Sequence, residues 1–332
     1  MEKFMEKIKI YVTDYISDIL LKDTEGFEFF KKDGRTLNKN ALLTKLIVNY
    51  HKRFMDEQNE LKSYLKRSIG NTATISRKQL DELCTEISES FYDHKTAVHG
   101  KKFDKLVSLK PTKESEPIID YIDKYLLMGR SLSEYFRNMF ASYAALPQDK
   151  REAIIFKPQY EAVLKAIKEK KKVFITTSNS FNNKFETAPY AIANSKEELH
   201  LYVIGVQKGC NPIRLSRITS ITQLSADATF TKEQTLLAER MIQYGPQFIY
   251  KPFEKEVLVE LTAKGLDKYK KMYVHRPIPT KVDNNHYYFN CSYSQIIQYF
   301  VRFGEDAKII YPQIVRDEII SFHRKALSRY TK

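Results

Sequence analysis

Residues 201–206 and 213–218 read Leu201-Tyr202-Val203-Ile204-Gly205-Val206 and Ile213-Arg214-Leu215-Ser216-Arg217-Ile218. Both are short apolar runs of strand character, and they fall in a series of such runs at 173–177, 185–193, 199–206, 213–215 and 218–224. Immediately before the series, residues 158–170 place Tyr160, Val163, Leu164 and Ile167 at the spacing of one buried helical face. That segment runs into Lys168-Glu169-Lys170-Lys171-Lys172, whose cations suit a helix C-terminus. One helix followed by five short strands predicts a small closed barrel over residues 151–230.

The same stretch carries the chemistry. Arg214 and Arg217 lie three residues apart at a strand end, where each guanidinium can fork onto a phosphate. Tyr202, Phe185 and Tyr190 are candidate stacking faces for unpaired bases, His200 a hydrogen-bonding partner, and Lys171 and Lys172 flanking cations. The competing reading has the arginines in structural ion pairs with Glu197, Glu198 or Asp227, and Tyr202 in the core. Charge distribution favours a ligand: of a net +14, eleven charges fall after residue 150, while residues 70–150 are neutral. A polyanion therefore has more to gain from the C-terminal half.

Outward from the barrel, residues 231–332 alternate strand and helix: 257–261, 262–269, 287–291, 294–303, 307–311 and a last helix from Arg316. Lys268, Lys270, Lys271 and Arg276, with His275, form a second basic cluster there, equally readable as a solvated face. Towards the N-terminus, Lys7-Ile8-Lys9-Ile10-Tyr11-Val12 alternates as a half-buried strand, with Lys7, Lys9 and Tyr11 outward. Thr13 caps a helix bearing Ile16, Ile19 and Leu20, Gly34 breaks it, and Asn38 begins a second helix reaching Tyr50. Strand, helix, turn and helix over residues 1–69 resemble a ribbon-helix-helix unit, in which two strands pair and dimerisation is part of the fold. A second copy is readable within 70–150: strand 105–109, helix 118–127, turn at Gly129, helix 131–143. A linking helix over 76–91 puts Leu80, Leu83 and Ile87 on one face.

Several classes are excluded. With 332 residues, more than one domain is expected, and the many Tyr, Phe, Leu and Ile rule out a basic tail. No membrane span and no signal peptide are readable, and Cys84, Cys210 and Cys291 lack CxxC spacing, so a soluble cytoplasmic protein is expected. There is no P-loop and no GxGxxG, and His94 and His99 lack companion metal ligands. Arg316 and His323 have the spacing of a HEPN ribonuclease pair but not its helical context. The expectation is a non-enzyme that needs no cofactor or metal.

Residues 155–225 resemble a WYL domain, an Sm-like β-barrel: the family tripeptide falls at Leu201-Tyr202-Val203, and its Arg-x-x-Arg-Ile is intact as Arg214 to Ile218. Pro189-Tyr190 matches the family proline, although the chain has no Trp. The run Phe303-Gly304-Glu305-Asp306-Ala307 with Pro312 and Arg316 resembles the ferredoxin-like C-terminal extension of WYL proteins. The domain order, with Lys22-Asp23-Thr24-Glu25-Gly26-Phe27, is similar to the WYL accessory proteins of type VI-D CRISPR systems. That resemblance implies a multi-domain α+β homodimer that binds single-stranded RNA and enhances cleavage by an RNA-guided CRISPR ribonuclease. The alternative is a ribbon-helix-helix transcription regulator that reads DNA through Lys7, Lys9 and Tyr11 and senses a ligand in its WYL domain.

Overall fold

The computed structural model describes residues 6–71, 75–97, 102–127, 129–178, 184–195, 197, 199–207 and 209–331. Glu198 and His99 lie outside the described residues, as do residues 1–5. The chain divides into two compact units, Met1–Lys157 and Pro158–Lys332, each with its own core. No helix among the described residues is long and apolar enough to cross a membrane.

The first unit runs β1 (Ile8–Val12), α1 (Asp14–Gly26), α2 (Lys39–Gly70), α3 (Arg77–Ala97), β2 (Lys105–Leu109), α4 (Glu116–Tyr125), α5 (Leu132–Ala144) and α6 (Gln148–Ile155). Strand–helix–helix thus occurs twice, as β1-α1-α2 and β2-α4-α5. Helix starts follow capping chemistry: Thr13 and Asn38 accept from Ile16 and Ala41 backbone N–H groups, and Ser131 with Glu134 makes a reciprocal capping box. Tyr50 and Tyr143 are both fully buried, with ring centroids 6.2 Å apart. β1 and β2 pair antiparallel, Ile8 opposite Leu109 and Val12 opposite Lys105. The strand pairing expected from a second chain is therefore satisfied within one chain, so the ribbon itself does not impose dimerisation.

Three readings of this region change. α2 continues from Tyr50 to Gly70, because its polar second half packs along α3. On α3 the buried row is Cys84, Ser88, Tyr92 and Thr96, whereas Leu83 and Ile87 are exposed. Buried Thr96 donates to the Asn138 side-chain oxygen at 2.8 Å, and the Asn138 amide donates to Asp93, so a polar seam ties α3 to α5. Arg151, expected to open the barrel region, lies on α6 in the first unit. It makes two bonds to Asp23, Nε to Oδ2 at 2.7 Å and Nη2 to Oδ1 at 2.9 Å, and both side chains are buried.

The second unit opens with α7 (Lys157–Lys168) and a five-stranded antiparallel sheet: β3 (Lys171–Thr177), β4 (Lys184–Asn194), β5 (Leu201–Val206), β6 (Cys210–Arg214) and β7 (Ile218–Asp227). On α7, Val163 and Ala166 are buried while Leu164 is exposed. The strand order is β6-β5-β4-β3-β7, and β6 and β7 form no ladder with each other among the described residues. A single 3₁₀ turn, Leu215–Arg217, joins these two edges. The sheet must therefore curl until its edges meet at that turn, and it is closed there by covalent connection rather than by hydrogen bonds as a complete barrel would be. Gly205 permits the curl: a Cβ there would fall 2.6 Å from Thr187 Oγ1 and 2.8 Å from Ile213 Cδ1.

Then α8 (Lys232–Tyr244), which the periodicity did not disclose, packs Leu237, Ala238 and Met241 on Ile204, Val206 and Cys210. The chain ends with β8 (Val257–Leu261), α9 (Ala263–Lys271), β9 (Pro279–Asp283), β10 (His286–Phe289), α10 (Tyr293–Phe300), β11 (Ala307–Tyr311) and α11 (Gln313–Leu327). The sheet order is β11-β8-β10-β9, all antiparallel, with α9 and α10 following the first and third of its strands and α11 the fourth. The helix read to Phe303 instead ends at Phe300 and continues as a 3₁₀ segment, Val301–Asp306, in which Gly304 takes φ 60°.

Candidate nucleic-acid interface

Arg214 closes β6 and Arg217 sits on the 3₁₀ turn, so the turn that joins the sheet edges also gathers the two guanidiniums. The β5–β6 register sets Tyr202 opposite Arg214, and the alternation of a strand puts both on one face. Phe185, on β4, reaches the same place. Phe185, Tyr202, Arg214 and Arg217 all line one cleft of about 620 Å³. Lys184, Thr177, Gln207, Asn211 and Gln247, which the sequence did not single out, also line it, with Pro212 and Ile213. Lys184 escaped because a lone lysine carries no pattern, and Gln247 because it reaches the cleft from the loop after α8.

The chemistry of this cleft is one-signed. Among the described residues its charged lining side chains are Lys184, Arg214 and Arg217, with two aromatic rings and three carboxamides from Gln207, Asn211 and Gln247. His200 does not line the cleft; it supports Arg214 instead, whose Nη2 lies 2.9 Å from the imidazole Nε2. Tyr202 is largely buried, so it both packs the sheet and presents an edge to the cleft.

Other candidates fall elsewhere. Tyr190 packs edge-on to Phe230, centroids 5.2 Å apart, against the α8 core. Lys171 pairs with Asp227 at 2.7 Å, and that hydrogen bond holds the Asp227 carboxyl below the usual carboxylate range. Lys172 pairs with Glu186 at 2.9 Å. Asp227, weighed as a partner for the arginines, is thus taken by Lys171, while Glu197 binds the His275 ring Nδ1 at 2.9 Å.

The second basic cluster is mostly tied into its own domain. Lys268 donates to Asp306 Oδ2 at 2.6 Å and to the Phe303 carbonyl at 3.2 Å. Hydrogen bonds from Lys268 and then Thr262 hold the Asp306 carboxyl below its ordinary range. Lys271 pairs with Asp267, and Arg276 lies over the Tyr269 ring at 5.5 Å. Lys7, Lys9 and Tyr11 do face outward from the ribbon, and Ile10 and Val12 inward; the Arg137 guanidinium donates to the Tyr11 carbonyl at 2.8 Å. The three cysteines are buried and unbridged, and burial pushes the Cys210 thiol up to about 11. On α11, Arg316 donates to the Ile310 carbonyl at 3.0 Å and so anchors the helix to β11.

No protein-family model matches the sequence, and no curated protein matches it. Among solved structures, the proteasome accessory factor B/C of Arthrobacter aurescens aligns with 100% of this chain and 51% of its own at 12% identity. Its TM-score of 0.25 is too low to imply a common fold. A protein whose crystal structure is described as that of a CRISPR Cas-related protein aligns with 98% of this chain and 94% of its own, at 16% identity and a TM-score of 0.62. This chain has the fold of that CRISPR Cas-related protein.

Proposed function

We propose that this chain is a non-catalytic accessory protein of a CRISPR system that binds single-stranded RNA and enhances cleavage by the system's RNA-guided ribonuclease. The observation that carries the reading is the cleft in which Arg214, Arg217 and Lys184 meet the rings of Phe185 and Tyr202. Cations that track a phosphate backbone beside faces on which bases stack are what an unpaired strand needs, and a duplex offers no free base faces. The fold common to this chain and the CRISPR Cas-related protein supports the biological setting. On this reading the curled sheet is a WYL-type Sm-like barrel, the second sheet a ferredoxin-like extension, and the paired strand–helix–helix units a ribbon-helix-helix arrangement folded within one chain.

The test is fluorescence anisotropy with labelled single-stranded RNA and duplex DNA across a salt series. Arg214→Ala/Arg217→Ala is expected to weaken RNA binding about tenfold or more. It should also flatten the log–log salt slope by roughly 1.4, since each lost single-strand phosphate contact removes about 0.7. RNA binding indifferent to both arginines would sink the assignment. The exposed ribbon face favours a second reading, a duplex-DNA regulator using Lys7, Lys9 and Tyr11. Under it, Lys7→Ala/Lys9→Ala abolishes duplex binding, whereas the RNA reading requires that variant to bind RNA like wild type.

A homodimer is part of the proposal, and it would form through a surface other than the β1–β2 pairing, which is internal. Sedimentation velocity of the RNA-free protein at micromolar concentration is expected to give twice the 39.0 kDa chain mass. A single 39.0 kDa species would remove the dimer from the proposal.

A further inference from the structure

The arginine cleft does not end at Gln207 and Asn211. These two residues also line a larger cleft of about 1030 Å³, whose floor is Thr187, Ala188 and Val206. Its far wall is the segment from Ile249 to Phe253, held beside the edge strand β6 by a bridge between Tyr250 and Cys210. The character of the two clefts differs. The first holds the guanidiniums. The second is mainly apolar at its mouth, with the side chains of Ile249 and Phe253 46% and 56% exposed.

Phe253 is arranged in a specific way. Its ring meets Tyr293 edge-on at 6.4 Å, and Tyr293 is itself buried and accepts the Lys255 backbone N–H at 2.9 Å. The ring is thereby braced from behind while more than half its surface stays open. The Lys251 ammonium stands 5.6 Å from the ring centroid. An exposed, braced ring with a cation over one face offers a base a surface on which to stack and the adjoining phosphate an ammonium charge to turn to. Among the described residues that line the cleft, the one carboxylate, Glu186, is neutralised by Lys172 at 2.9 Å, so none of them repels a polyanion.

We infer that the second cleft is a base-stacking lobe for the same single strand, which leaves the arginine cleft across Gln207 and Asn211 and stacks a base on Phe253. The inference rests on the RNA reading of the arginine cleft and extends it from a phosphate site to a two-lobed groove. A two-lobed groove makes affinity depend on strand length. An oligonucleotide that fills only the arginine cleft gains nothing from Phe253, whereas one long enough to cross the lip does.

The experiment uses the full chain and two unstructured RNA oligonucleotides, of about 4 and about 12 nucleotides, one at the lower end of the site sizes of single-strand-binding folds and one well within them. Phe253→Ala is expected to weaken the longer one roughly five- to hundredfold, the range of one lost stacked base, and to leave the shorter unchanged. Phe253→Trp, which keeps a stacking face at an exposed position, should bind the longer strand at least as well as wild type. A 2-aminopurine in the longer strand should show quenching that Phe253→Ala relieves. Equal binding of the longer strand by wild type and Phe253→Ala overturns the lobe, and so does an equal loss for both lengths. Should Phe253→Ala lose the longer strand while Arg214→Ala/Arg217→Ala binds both normally, base stacking on Phe253 survives, but the arginine-cleft reading and the two-lobed groove built on it fail. If neither strand binds wild type, both fail.

Discussion

Asp23→Asn should destabilise the first unit by about 3–5 kcal/mol, the usual cost of removing one partner from a buried ion pair. The carboxylate accepts from Arg151 Nε and Nη2 at 2.7 and 2.9 Å, and from the Tyr143 hydroxyl at 2.7 Å. Arg151 Nη1 also donates to the Leu146 carbonyl at 2.6 Å, so the guanidinium is fixed from both sides. Without the charge on residue 23, a guanidinium is left buried with no counter-ion. Arg151→Met should cost a similar amount, because it strands the carboxylate instead. The double variant Asp23→Leu/Arg151→Met should recover much of either loss, since replacing both partners by apolar groups of similar volume is often near neutral. Urea denaturation followed by circular dichroism checks all three. A double variant as unstable as the sum of the singles would show that the pair is not the unit of stabilisation.

Gly265→Ala is the second large effect, and its sign runs against helix propensity. Gly265 lies in α9, where alanine normally gains about 1 kcal/mol over glycine. Here, however, a Cβ would collide with the Asp306 carbonyl oxygen and stand 3.1 Å from its carbon. These are backbone atoms of a turn held by Lys268 to Asp306 and by Thr262 Oγ1 to Asp306 Oδ1 at 3.0 Å. The turn cannot yield without breaking those bonds. A net loss of about 3 kcal/mol or more follows, at the top of the range for overpacked sites. Thermal unfolding measures it, and a rise in Tm on Gly265→Ala would show that the turn gives way.

The motif Phe303-Gly304-Glu305-Asp306 owes its form to this packing. Phe303 fills the core, Gly304 takes the left-handed conformation, and Asp306 both caps α9 through Thr262 and receives Lys268. In the Lys22-to-Phe27 stretch the corresponding anchors are Asp23, on Arg151, and Phe27, in the core. Both stretches are legible as motifs. What they hold, a turn in one case and a guanidinium 128 residues away in the other, is visible only in the folded chain.

Helix α3 shows where periodicity misleads. Its most apolar row, Leu83 and Ile87, faces outward, while Cys84, Ser88, Tyr92 and Thr96 are buried. Small and hydroxylated side chains let α3 approach α2 and α5 closely, and the Thr96–Asn138–Asp93 bonds satisfy the polar atoms that close approach buries. Hydrophobicity alone ranks these residues in the wrong order, because a buried hydroxyl with a partner is not penalised.

Local chemistry is what the sequence by itself determined. Caps at Thr13, Asn38 and Ser131, the alternation of residues 8–12, the strand runs from residue 173 onward and the basic bias after residue 150 all depend on neighbours in the chain. They identified two strand–helix–helix units, a helix leading into five strands, and Arg214, Arg217, Tyr202 and Phe185 as candidate ligand residues; it is the fold that brings those four into one cleft. Tertiary structure alone decided which strands pair and which residues line the cleft. β1 finds β2 across 97 residues, from Ile8 to Lys105. Lys171 and Lys172 are drawn to Asp227 and Glu186 because β3 lies between β4 and β7. Lys184, Gln207, Asn211 and Phe253 enter the groove from separate elements. The physical reason is range: caps, turns and periodicity act over a few residues, whereas pairing partners and cleft walls are set by contacts that no local pattern encodes.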